Sequence, residues 1–105
     1  MNWTQGEQYC QAFGAHLASI HSYDEIHFLG SFVYTAHMAL WVGAFSNDGG
    51  NSWEWSDRTP WDFNPWSNGY PNMHANACGI LWDASMGDWT CNNIRQIICK
   101  KPLTV

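Results

Sequence analysis

The chain has 105 residues, of which only 12% are charged and 16% are aromatic, and its formal net charge is −5. That length suits one domain, residues 1–105, with a core modest enough for covalent staples to matter. Four Lys and Arg make no basic stripe, which argues against nucleic acid as a partner, and no apolar run approaches the roughly 18 residues of a transmembrane helix, which argues against membrane insertion.

Met1-Asn2-Trp3-Thr4 is no signal peptide, so in a secreted protein the leader has been removed or replaced by Met1. Asn2-Trp3-Thr4 is also a glycosylation sequon, compatible with secretion. From Trp3 to Phe13 the spacing predicts an amphipathic helix, with Trp3, Gly6, Cys10 and Phe13 on one face and Gly14 as its C-cap. Leu17 to Ile20 reads as a short extended link. Ser22-Tyr23-Asp24-Glu25 predicts a capping box, in which Ser22 accepts from the amide of Glu25 and Glu25 reaches back to the amide of Ser22. The helix it opens runs to about Tyr34, with an apolar stripe of Ile26, Phe28, Leu29, Phe32 and Val33. Gly30 in its middle costs about 1 kcal/mol relative to alanine and marks close packing against another backbone.

Leu40 to Phe45 is a continuous apolar run, predicted as a buried strand, and Asn47 to Asn51 is a turn. Trp53 to Asp57 alternates, which predicts a strand with both indoles on one face. The stretch from Trp61 to Asn72 has neither helical period nor clean alternation, so it reads as a long loop. Trp61, Phe63, Trp66 and Tyr70 make it an ordered, functional loop, because a disordered linker lacks such aromatics. Cys78 to Trp82 is the next strand, Asp83 to Gly87 a turn, Asp88 to Cys91 a fourth strand and Gln96 to Cys99 a fifth. Trp41, Trp53, Trp55 and Trp82 are expected in the core, and Trp61 and Trp66 as anchors of the loop. Two helices followed by strands predict an α+β fold with helices flanking a small antiparallel sheet.

Cys10, Cys78, Cys91 and Cys99 allow three pairings. They form no Cys-x-x-Cys pair and match no zinc-finger spacing, so two disulfides in an oxidising, extracellular compartment are expected. No nucleophile elbow, His-Glu-x-x-His or phosphate loop is present, which points away from an enzyme.

Several segments together resemble the C-type lectin-like domain. Trp3-x-x-Gly6-x-x-x-Cys10 is similar to the family's first helix, and Gly14-Ala15-His16-Leu17-Ala18-Ser19-Ile20-His21-Ser22-x-x-Glu25 to the start of its second. Trp41-Val42-Gly43 resembles its core strand, and Trp53-Glu54-Trp55-Ser56-Asp57-x-Thr59-Pro60 the hairpin that follows. The resemblance runs from Trp3 to Lys100 and implies the pairing Cys10–Cys99 and Cys78–Cys91, one bridge closing the domain and the other fixing the base of the long loop. The family's opening strand, which precedes the first helix, is missing from this chain.

The resemblance also implies a site. Sugar-binding members carry Glu-Pro-Asn or Gln-Pro-Asp about a cis-proline in the long loop, and the flanking side chains hold Ca²⁺ and the sugar hydroxyls together. Here the tripeptide is Tyr70-Pro71-Asn72, so the first acid or amide is a phenol and Pro71 is the cis candidate. The carboxylate before the strand cysteine matches Asn76, an amide, and the Trp-Asn-Asp segment matches Met86-Gly87-Asp88, where the Asp alone survives. Asn72, Asn76 and Asp88 remain as oxygen donors with one formal charge among them, so Ca²⁺ affinity is expected to be weak or absent. Tyr70, Asn72, Asn76, Asp88 and Trp66 are the candidate carbohydrate-binding residues, with Tyr70 or an exposed tryptophan stacking on a sugar face without metal. The plainer role for Asn72 and Asp88 is hydrogen bonding to the loop backbone. His74 beside Asp88 offers a ligand for Zn²⁺, though two ligands are few and a solvated histidine is the plainer reading.

Two functions compete. One is a secreted lectin binding glycans or glycoprotein surfaces, weakly per site and through multivalency or an oligomer. The other is an interaction module of the same fold that has lost its calcium chemistry and binds a protein, a mineral or, as in fish members of the family, ice.

Overall fold

Helix α1, Trp3–Gln11, is opened by Asn2. The Asn2 side chain accepts from the amide of Gln5 at 2.8 Å, and the Gln5 side chain accepts from the amide of Asn2 at 3.0 Å. This reciprocal cap satisfies two of the donors that a helix start leaves unpaired. The structure, a computed structural model, describes residues 1–36, 39–72, 77–82 and 84–101. The helix ends earlier than its spacing predicts: Ala12 is the C-cap, and Gly14, at φ +73°, lies two residues beyond in the closing turn. Phe13 therefore falls off the buried face and is exposed, while Gly6, Glu7 and Cys10 face inward.

Glu7 is the residue that periodicity passes over. It is 7% exposed, and its carboxylate takes the amide of Leu17 at 3.0 Å, the side chain of Gln11 at 2.7 Å, and the ring of His16. Burial pushes its pKa up, but the hydrogen bonds from Gln11, Leu17 and His16 outweigh that and hold it below its ordinary value. Strand β1, His16–Leu17, is thereby tied to α1.

Helix α2, Tyr23–Ala36, extends past the Tyr34 boundary expected from sequence. Its cap is a variant of the predicted box. Ser22 accepts from the amide of Glu25 at 3.1 Å, as expected, but Glu25 accepts from the amide of His21 at 2.7 Å rather than from Ser22. The other Glu25 oxygen meets Lys100 Nζ at 2.6 Å, and the same ammonium donates to the Ser19 carbonyl at 3.1 Å. The apolar stripe is narrower than predicted. Ile26, Leu29 and Val33 are buried, whereas Phe28 and Phe32 are exposed and pack edge-on against each other. Five apolar positions over eight residues span more of the helix circumference than one sheet covers.

The main sheet has the order β3-β2-β4-β5. Strand β2, Leu40–Phe45, matches its predicted span. One of its edges is shared: Ala44 and Phe45 pair antiparallel with β3, Glu54–Trp55, and Leu40 and Trp41 pair parallel with β6, Gln96–Ile97. The other edge pairs with β4, Ala77–Trp82, through a register shift between Trp41 and Phe45. Gly43 sits in that irregularity, donating to the Ala18 carbonyl at 2.8 Å. A Cβ there would stand 2.6 Å from the Leu17 carbonyl oxygen, so only glycine lets β2 approach this backbone.

Strand β5, Ser85–Thr90, begins at Ser85, inside the predicted turn. The predicted final strand is two: after β6 the chain changes partner at Ile98, and β7, Cys99–Lys100, pairs antiparallel with β1. The predicted strand Trp53–Asp57 shortens to Glu54–Trp55, because Asp57 turns away to bind Ser19 and Thr59. Both disulfides implied by the resemblance are present, Cys10–Cys99 and Cys78–Cys91. Trp41 and Trp55 are fully buried, Trp53 is half-buried, and Trp82 is 55% exposed. Trp82 corrects the core expectation: it alternates with Leu81, and Leu81 occupies the inward face.

Asp57 carries a pH prediction. Burial raises its pKa, but hydrogen bonds from Ser19 and Thr59, aided by the Lys100 charge, hold it below the ordinary carboxylate value. A depressed folded pKa stabilises the fold at pH above the unfolded value, near ~3.9, and that stability is lost as pH falls through the folded value. Denaturant unfolding between about pH 5 and 2 is expected to show stability falling with acid, and Asp57→Asn to be less stable at neutral pH with a flatter slope.

Candidate functional site

The long loop is held from below by stacked aromatic rings. Trp61 stacks on buried Trp55 at 4.5 Å between ring centroids, and Trp66 follows at 5.9 Å from Trp61 and 4.8 Å from Trp53. Phe63 meets Tyr23 edge-on at 4.8 Å, tying the loop to the start of α2. At its first corner the His21 ring lies 2.7 Å from Asp62 and 2.9 Å from the Thr59 hydroxyl. Farther along, the amide of Ser67 donates to the Met86 carbonyl at 2.7 Å and the amide of Met86 to the Pro65 carbonyl at 2.9 Å, so the loop runs beside β5. Trp61 and Trp66 are thus anchors, as the sequence suggested. Trp66 is half-buried among indoles, which gives a sugar little of its ring.

Beyond Trp66 the loop turns at Gly69 and reaches Tyr70-Pro71, whose peptide bond is cis. Tyr70 is 39% exposed, and its ring lies beside Gly87, where an added Cβ would stand 3.5 Å from Cδ1. The amide of Asn72 donates to Asp88 Oδ1 at 2.9 Å, and Asp88 is fully buried on β5. Tyr70, Asn72 and Asp88 therefore converge. Asn76 and His74 lie outside the described residues.

The donor set among the described residues does not suit calcium. Among the described candidates Asp88 is the sole carboxylate, it is buried, and one of its oxygens already accepts the Asn72 amide. Tyr70 contributes a neutral phenol. Ca²⁺ takes six to eight oxygens and gains affinity with carboxylate count. Among the described residues no group of three or more His, Cys, Asp or Glu side chains is placed to hold a metal.

The sequence missed a second part of this surface. In the β4–β5 ladder Cys78 lies opposite Trp89, Ile80 opposite Gly87 and Trp82 opposite Ser85. Residues directly opposite share a face, so Trp82, Ile80, Gly87 and Trp89 lie on one face, where Trp82 and Trp89 are exposed and Ile80 is half-buried. Leu81 and Met86 occupy the other face, in the core. A concavity of about 300 Å³ is lined by Tyr70, Ile80, Trp82, Gly87, Trp89 and Arg95, among others. The alternation of Trp82 with Leu81 was the available signal, because only one of two neighbours on a strand can face the core.

A disulfide-stapled α+β domain that presents a long, aromatic-anchored loop about a cis-proline belongs to the class of lectin-like recognition domains. The chain is a member of the lectin C-type domain family, which matches residues 1–101. It is 33% identical over 110 residues to the C-type lectin mannose-binding isoform of Oxyuranus scutellatus, covering 94% of this chain and 70% of that protein. Among solved structures it resembles CEL-IV, with a TM-score of 0.90 and 25% identity over 100% of this chain and 83% of that one. It also resembles a calcium-independent type II antifreeze protein, with a TM-score of 0.83 and 28% identity over 94% and 77% of the two chains. No helix among the described residues is long and apolar enough to cross a membrane.

Proposed function

We propose that this domain is a secreted, non-enzymatic carbohydrate-binding module that takes its sugar at the Tyr70–Asn72 loop without depending on calcium. One observation carries the reading: Tyr70 replaces the metal-binding residue before the cis-proline, and its exposed ring lies beside Gly87 at the rim of an open concavity. An aromatic ring there stacks on the apolar face of a sugar, and the neighbouring Asn72 side chain supplies polar contacts to hydroxyls. Asp88 holds the loop in place from beneath. Two disulfides suit an oxidising, extracellular setting, and the likeness to lectins supports the ligand class.

The test is a glycan array read in Ca²⁺ and in EDTA. Sugar capture is expected to survive EDTA, and Tyr70→Ala to weaken it about tenfold, the value of roughly 1.4 kcal/mol for a lost stacking contact. Capture abolished by EDTA would overturn the calcium-independent reading. A second reading, an interaction module for ice, is favoured by the likeness to the calcium-independent antifreeze structure. Faceted ice crystals at micromolar protein, with an empty glycan array, would put that reading in front.

A further inference from the structure

Arg95 is a cation held against aromatic rings rather than against a carboxylate. Its backbone exchanges two hydrogen bonds with Met1, the Met1 amine donating to the Arg95 carbonyl at 3.1 Å and the Arg95 amide to the Met1 carbonyl at 2.9 Å. That pair fixes the start of the side chain. The guanidinium carbon then lies 5.7 Å from the ring centre of buried Trp41 and 5.9 Å from that of Trp89. Among the described residues the guanidinium meets no carboxylate, and its Nε is buried without a hydrogen-bond partner. The two rings stabilise the charge, but the buried Nε–H is left unsatisfied, which favours a hydrogen-bonding partner from outside the fold.

The walls around that charge describe the missing partner. Trp82 is 55% exposed and Trp89 is 43% exposed, both on the outer face of the β4–β5 ladder. Ile80, Gly87 and Tyr70 line the space between them, together with Asp88, whose carboxylate is fully buried and accepts the Asn72 amide. Flat aromatic walls over a shallow floor accept a ring with an apolar face. The space of about 300 Å³ is at the small end of the range for ligand pockets, which suits a single ring. The guanidinium supplies paired N–H donors that match two oxygens of a carboxylate or a sulfate. The overall charge of −5 gives no general attraction for anions, so recognition rests on this one local cation.

We propose that the groove formed by Tyr70, Trp82, Trp89 and Arg95 binds an acidic sugar residue, one bearing a carboxylate or a sulfate, with its ring against the indoles and its anion on Arg95. The proposal rests on the carbohydrate reading above and adds the class of sugar. In it Trp82 and Tyr70 give the contact that any sugar would share, and Arg95 gives the preference for the acid.

The test uses three oligosaccharides of equal length in EDTA at about 0.15 M salt, where long-range charge effects are screened: one containing glucuronic acid, one sulfated, and one neutral. Binding is measured by calorimetry to the whole chain and to Arg95→Gln, Arg95→Lys and Trp82→Ala. At least one acidic chain is expected to bind about tenfold or more tighter than the neutral one, and which of the two does so tells carboxylate from sulfate. Arg95→Gln is expected to erase that preference, Arg95→Lys to keep only part of it because an ammonium lacks the paired donors, and Trp82→Ala to weaken all chains alike. Equal binding of acidic and neutral chains by the unaltered protein would overturn the acid preference and leave the carbohydrate reading standing. Undiminished acid preference in Arg95→Gln would also overturn it. Failure of every chain to bind would overturn both. The comparison of ligands on the unaltered protein decides the matter even if Arg95→Gln does not fold.

Discussion

Replacing Cys10 and Cys99 together by serine is expected to lower the unfolding free energy by about 4 kcal/mol, the entropy of closing a long loop in the unfolded chain. The bridge spans 89 positions, from the inward face of α1 to β7, and so encloses nearly the whole sequence. Besides the bridge, the N- and C-terminal parts meet through the two-residue pairing of β1 with β7, the backbone hydrogen bonds of Met1 with Arg95, Trp3 with Cys91 and Ala18 with Ile98, and the Lys100–Glu25 contact. The part-exposed ion pair contributes about 0–1 kcal/mol, and each hydrogen bond about 1 kcal/mol net, so no single one of these contacts matches the bridge. Thermal unfolding of the double serine variant, compared with the oxidised protein, measures the effect. A shift in midpoint of only a degree or two would mean that the unfolded chain is already compact and the bridge closes little additional freedom.

Trp55→Ala is the second large effect, expected to cost about 3–5 kcal/mol in denaturant unfolding. Trp55 is 2% exposed and belongs to the core with Leu81, Met86 and Val42. It also carries Trp61 stacked on its face, and through Trp61 the ring of Trp66, so its removal undermines the floor of the long loop. The expected loss is packing rather than hydrogen bonding, because the Trp55 Nε1–H has no partner among the described residues. Trp55→Phe is therefore expected to recover a large part of the stability. Sugar capture by Trp55→Ala should fall at temperatures where the fold persists, since the loop that presents Tyr70 loses its support. Unaltered binding there would show that the pairing of residues 65–67 with Met86 holds the loop without the indoles.

Local signals carried much of the fold. The run Leu40 to Phe45 became β2 at its predicted bounds, and the Ser22 cap opened α2, because each depends on neighbours within about four residues. The cis candidate and both disulfides also appeared as the family resemblance implied. Misplaced boundaries had longer-range causes. The Trp53–Asp57 alternation ended early because Asp57 bonds to Ser19, 38 positions away. Glu25 bypassed Ser22 for the amide of His21 while meeting Lys100, 75 positions distant. Phe28 and Phe32 looked like core by periodicity, yet the sheet covers only the narrower stripe of Ile26, Leu29 and Val33.

The candidate site divides the same way. Tyr70 and Asn72 were legible through the resemblance to the family's motif about a proline and Asp88 through that to its Trp-Asn-Asp segment, and their convergence follows from the Asn72–Asp88 hydrogen bond. Trp82, Trp89 and Arg95 carried no motif. Trp82 and Trp89 share a face only through the β4–β5 register, and Arg95, whose backbone pairs with Met1 94 positions earlier, lies against Trp89 and lines the same concavity. By itself the sequence determined the α+β class, a scaffold with two disulfides and the aromatic loop, which are properties of residue types and their spacing. The disulfide pairing and the missing acidic ligand beside Pro71 came from the family resemblance. The tertiary structure alone decided which aromatic rings became core and which became surface, and that a lone guanidinium stands among the exposed ones. Burial of a side chain is set by what packs on it from distant parts of the chain, and no local spacing encodes that.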